Sequence, residues 1–288
     1  MMIAENAGPE TPLWLILVVV ACAPVTIVAL VRIGRWWLSG TALPRPLDKE
    51  WPAVPWPPAF GLVLFVLMGI SMVLIVAGYT AGKDRGLWPW EPLKVPDMFG
   101  AGVFLGQAVP ALLGLAAVCL FGRGAAATVG VRIGPLGRGL VAGVVALVVV
   151  LPVCLVALRI NVILLILLGG RPELHPVLEK IGEQPTAGIA ALALFQAGLM
   201  APLVEEFIYR GVLMMTLAKQ VGIGGALVIS SAVFAMVHMM TEPQAVMPLF
   251  VLALALGYVA YRTRSLVGPI VGHSLFNTLM VLSAFTAR

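Results

Sequence analysis

Charge is scarce in this chain. Acidic and basic residues make up 11% of its 288 positions, against about a quarter in a soluble globular domain. That scarcity excludes an ordinary cytosolic enzyme and a disordered protein. The net charge of +5 is scattered through short connectors and forms no basic stripe, so no nucleic-acid partner is expected. Cysteine is scarce too. Cys22, Cys119 and Cys154 each lie within apolar sequence and form no CxxC, which excludes a disulfide framework and leaves them as small core residues. Internal repeats and low-complexity tracts are missing. The first apolar run lacks a basic leader: Glu5 and Glu10 precede it and Arg32 and Arg35 follow. It therefore reads as a retained anchor, not a signal peptide.

What the chain has is apolar length. Hydrophobic residues make up 61%, enough for about eight helical spans of roughly 20 residues. The runs are Leu13–Val31, Ala59–Gly78, Phe99–Phe121, Gly139–Leu158, Gly188–Val204, Ile223–Met240, Ala245–Tyr261 and Leu266–Ala284. Within lipid each backbone N–H and C=O must be paired inside its own segment, so such runs are helices. The expected fold is an all-α, polytopic transmembrane bundle, integral and multi-pass. It would lie in the cell (inner) membrane of a prokaryote or the endoplasmic reticulum membrane of a eukaryote. The bilayer is its first partner.

The connectors carry Trp36, Trp37, Trp51, Trp56, Trp88 and Trp90, which are expected as aromatic anchors at headgroup level. Residues 169–186 form the most polar loop, with room for a short surface helix. Lys and Arg favour the loops after the first, third, fifth and seventh spans, with Arg210 counted among them. That bias places both termini outside.

Residues 1–186 read as helices and interfacial loops. Residues 187–288 hold the polar side chains that a membrane interior does not tolerate idly. An ionisable group in a span costs about 2.5–3.5 kcal/mol on insertion scales and is a functional hypothesis by default. Three clusters stand out. In EEFIYR (205–210), Glu206 and Arg210 are spaced i,i+4 and can pair on one face. Glu205 then points about 100° away, free to face a cavity. In FAMVH (234–238), Phe234 and His238 share a face, as do His273 and Asn277 in HSLFN (273–277). Taken singly, these read as a buried ion pair, a core histidine and interhelical glue.

Depth joins them. A tight turn at 219–222 leaves Glu205 and His238 each about 25 Å along their helices at 1.5 Å per residue. His273 and Asn277 enter from a turn at 262–265. Glu205, His238 and Asn277 are then expected at one depth, with His273 one turn off. Such a set suits hydrolysis. Glu205 takes a proton from water, His238 helps activate that water, and His273 and Asn277 hold the oxyanion. Glu206, Arg210 and Phe234 support them. No metal is required. An alternative assembly binds Zn²⁺ through Glu205, His238 and His273, though HExxH is missing. No GxSxG marks a serine nucleophile.

The motifs EExxxR, FxxxH and HxxxN, in this order on separate membrane helices, resemble the CPBP (Abi) family, which includes the CAAX prenyl endopeptidases. The flanks APLVEEFIYRG and RTRSLVGPIVGHSLFN resemble it as well, over about residues 187–280. The resemblance implies an intramembrane endopeptidase with Glu205 as base beside His238, and His273 with Asn277 as oxyanion donors. Its substrate would be a membrane-bound protein or lipidated peptide, prenylated CAAX proteins among them. Two other readings stay open: a non-catalytic immunity or scaffold protein of the same fold, and a transporter with a Glu/His proton relay.

Overall fold

Helix formation follows the apolar runs. The computed structural model describes residues 12–40, 54–87, 101–122, 124–125, 130, 136–172, 181, 186–239 and 241–286. Four long helices come first: α1 (Leu13–Leu38), α2 (Pro58–Asp84), α3 (Ala101–Cys119) and α4 (Leu136–Leu167). Then follow α5 (Ala187–Phe195), α6 (Ala201–Glu206), α7 (Met215–Val237), α8 (Val246–Thr263) and α9 (Val267–Thr286). Two π-helical segments, Gln196–Met200 and Phe207–Met214, join α5 to α6 and α6 to α7. The boundaries have local causes. Pro58 opens α2 where no N–H is needed. Thr186 caps α5 by accepting from the Ile189 N–H at 3.2 Å. Arg264, in the left-handed region at φ 52°, closes α8.

Among the described residues, seven helical stretches are long and apolar enough to cross a membrane. One of them, Ala187–Val237, holds both the fifth and the sixth expected spans. Its first part, residues 187–221, is a rod of about 50 Å at the α-helical rise, and the stretch breaks at Gly222, where φ 70° and ψ 169° suit only glycine. The chain reverses there, since Tyr209 and Phe234 on either side of the break meet edge-to-face with ring centroids 5.0 Å apart. The outer surface is apolar: Leu17, Leu74, Leu112, Val141 and Ile163 are each more than half exposed. Apolar exposure on that scale requires lipid as the surrounding solvent. The protein is an integral, multi-pass membrane protein.

Small residues set the helix contacts. Gly102, Gly106 and Gly114 of α3 lie against Tyr79, Val76 and Met68 of α2. Gly139 and Gly143 of α4 meet Val267, Gly268 and Gly272 of α9, and a Cβ on Gly143 would come 2.5 Å from the Gly268 carbonyl oxygen. Backbones this close gain dispersion and lose little side-chain entropy. Thr26 of α1 donates to the α4 carbonyl of Val149 at 3.0 Å. Around this frame one apolar core gathers residues 204–215 with α2 and α7. A second joins α4, α8 and α9.

Several expectations are corrected. α4 does not stop at Leu158 but runs through Arg159 and Asn161 to Leu167, with Asn161 Nδ2 donating to the Pro243 carbonyl at 2.7 Å. α7 ends at Val237, not Met240, because the Thr241 and Glu242 N–H groups turn back onto the His238 carbonyl. Trp56 is no headgroup anchor. It is fully buried, and its Nε1 donates to the Thr216 hydroxyl at 3.1 Å, which in turn donates to the Val212 carbonyl. Trp51, Trp88, Trp90 and most of loop 169–186 lie outside the described residues. Arg210 is interior and drops out of the loop charge count.

Candidate functional site

The site is built on the long rod of 187–221. Ala201 donates its N–H to the Gln196 carbonyl, five residues back, and this wide turn starts the departure from α geometry. The Ala197 carbonyl then loses its usual donor, and the next residue in line, Pro202, has no N–H. A buried carbonyl without a partner costs about 1–3 kcal/mol. Asn277 Nδ2 fills the vacancy at 2.8 Å. π-helical turns of this kind occur frequently at functional sites.

Downstream lie the adjacent carboxylates. Glu206 is fully buried. Its Oε1 accepts from Arg210 Nη1 at 2.9 Å and from His273 Nδ1 at 2.8 Å. Arg210 Nη2 also donates to the Ala253 carbonyl at 3.2 Å. The i,i+4 pair read from the motif is therefore present, and it is anchored from α8 and α9. His273 must carry its proton on Nδ1, since a carboxylate only accepts. That leaves Nε2 directed at Glu205, whose Oε2 lies 3.8 Å away. The distance is too long for a direct hydrogen bond. Glu205 is the opened member of the two, its side chain 20% exposed against 0% for Glu206.

Phe234 joins the pieces. Its ring is fully buried and touches His238 at 4.9 Å, His273 at 5.7 Å and Tyr209 at 5.0 Å. The Arg210 guanidinium sits 4.8 Å over its centre. His238 caps α7, with Nδ1 against the Phe234 carbonyl at 2.8 Å. A carbonyl cannot donate, so Nδ1 carries a hydrogen, and Nε2 is left uncommitted by this bond.

The register differs from the expected one. His273, not Asn277, lies at the depth of the glutamates, and Asn277 stands beside Ala197, two turns earlier on the rod. The expected depths took both turns to lie level at the surface. The turn into α9 is instead sunk into the bundle: Ser265 and Leu266 are buried, and Leu266 N bonds the Gly130 carbonyl.

Sequence reading missed two residues. Glu242 is one of only three acidic residues after position 187. Its backbone N–H donates to the His238 carbonyl at 2.7 Å. Burial pushes its carboxyl up to about 7; nearby His238 opposes the rise and Glu205 adds to it. Its place four residues after His238 was the available signal. Tyr209, one turn after Glu205, is the other. Among the described residues, no group of three or more His, Cys, Asp or Glu is arranged to hold a metal ion. Glu205, His238 and His273 as placed do not fit a three-ligand zinc site.

No curated protein and no solved structure matches the chain. A family model described as type II CAAX prenyl endopeptidase Rce1-like matches residues 187–279. That stretch runs from the first residue of α5 into α9 and contains all three motifs. Over residues 187–279, about a third of its length, the chain is similar to the Rce1-like family of type II CAAX prenyl endopeptidases.

Proposed function

We propose that the protein is an intramembrane endopeptidase that hydrolyses a peptide bond of a membrane-associated, prenylated CAAX-type protein or peptide. One observation carries the reading. Of two adjacent glutamates, Glu206 is locked to Arg210 and His273, while Glu205 stays off that pair and opens beside His273 Nε2. A structural ion pair needs only the first. The second is a carboxylate held in an apolar setting without a fixed cation, which suits a general base.

In this mechanism Glu205 removes a proton from water as the water attacks the scissile carbonyl. His238, through its uncommitted Nε2, orients that water and shares its proton. His273 stabilises the tetrahedral oxyanion when protonated on Nε2, and Asn277 acts from the adjoining turn. Glu206 and Arg210 fix His273, and Phe234 fixes both imidazoles. The proton held by Glu205 passes to the departing amine. No metal step is needed.

The test is cleavage of a farnesylated CAAX-type peptide by the purified protein in liposomes. Wild type should release the C-terminal tripeptide. Glu205→Gln and His238→Ala should insert and melt normally yet release none. Equal cleavage by both variants, or none by wild type, overturns the reading.

A further inference from the structure

Resting on that reading, we infer that Tyr209 is a further catalytic residue, its phenol donating a hydrogen bond to the substrate carbonyl as it becomes an oxyanion. The phenol lies one turn beyond Glu205, within electrostatic range of that carboxylate. Its ring is held edge-on between Phe65 at 5.6 Å and Phe234 at 5.0 Å. Phe234 is the ring that also positions His238 and His273. The phenol ring is thus held by the packing that orders the rest of the site.

Donor use at the site supports this. His273 has committed Nδ1 to Glu206 and His238 has committed Nδ1 to Phe234. Asn277 has committed an amide hydrogen to Ala197, away from Glu205. Among the described residues, the Tyr209 hydroxyl has no hydrogen-bond partner, and its oxygen is not sealed within the interior. A hydroxyl that is open and uncommitted keeps its hydrogen for an incoming acceptor. A transition-state oxyanion would supply the missing acceptor.

The experiment compares wild type, Tyr209→Phe and Glu205→Gln on the farnesylated peptide, with melting curves for each. Tyr209→Phe should lower kcat about 100-fold, the effect of one oxyanion donor, with KM and melting temperature unchanged. Wild-type kcat in Tyr209→Phe, with Glu205→Gln inactive, overturns the Tyr209 assignment and leaves the peptidase reading standing. A kcat loss matched by a fall in melting temperature also overturns it, since Tyr209 would then serve packing alone. Full activity in Glu205→Gln overturns the peptidase reading itself.

Discussion

His273 donates its Nδ1 hydrogen to Glu206 Oε1 at 2.8 Å, across 67 residues of chain. The bond ties α9 to the rod. It sets the imidazole tautomer and so aims Nε2 at Glu205. Two residues that look alike in sequence thereby take different places: Glu206 is buried and paired to Arg210 and His273, and Glu205 stays partly exposed beside His273 Nε2.

Because Glu206 and Arg210 are both buried, losing one partner strands a charge. Arg210→Ala should destabilise the protein by about 3–5 kcal/mol. Glu205→Gln should leave the melting temperature near wild type. Thermal melts in detergent check both, and a wild-type melt for Arg210→Ala contradicts the burial argument.

Asn277 has a structural duty whatever its part in chemistry. Asn277→Ala leaves the Ala197 carbonyl without its donor and should cost about 1–3 kcal/mol. Replacing Asn277 by Asp should cost at least as much, since an ionised carboxylate cannot donate. Denaturant unfolding of the two variants gives the answer.

Glu242 makes stability depend on pH. Its folded carboxyl titrates at about 7, raised from 4.5 chiefly by burial. The folded state therefore holds the proton more tightly than the unfolded one. This contribution is complete below about pH 4.5 and is lost as pH rises through about 7. Melting temperature should fall between pH 5 and 8, and Glu242→Gln should flatten that slope. An unchanged slope in the variant removes Glu242 as its source.

Gly143 sets the distance between α4 and α9. In Gly143→Ala the new Cβ meets the Gly268 carbonyl oxygen at 2.5 Å, a backbone atom that cannot rotate away. Overpacking of this kind costs about 1–3 kcal/mol, and the displaced α9 carries His273 with it. Gly69→Ala, with nothing within 4 Å, is the control and should melt at or above wild type. Cleavage assays on the two variants separate a general loss from a displaced His273.

Much of this was legible without coordinates. Apolar length dictated helices, because lipid offers no hydrogen bonds to a backbone, and the turns at Gly222 and Arg264 fell where the runs broke. The Glu206–Arg210 pair followed from i,i+4 spacing alone. The burial of Trp56 did not, since its partner Thr216 lies 160 residues away. Nor did the depth of His273, which depends on how far the turn before α9 sinks into the bundle. Periodicity within a helix is a local property, readable from neighbours in the chain. The height at which one helix sits against another is decided by packing between distant segments, by Gly143 on Gly268 and by the wide turns at Gln196 and Phe207. Only the folded chain contains that information, and it determines which glutamate faces which histidine.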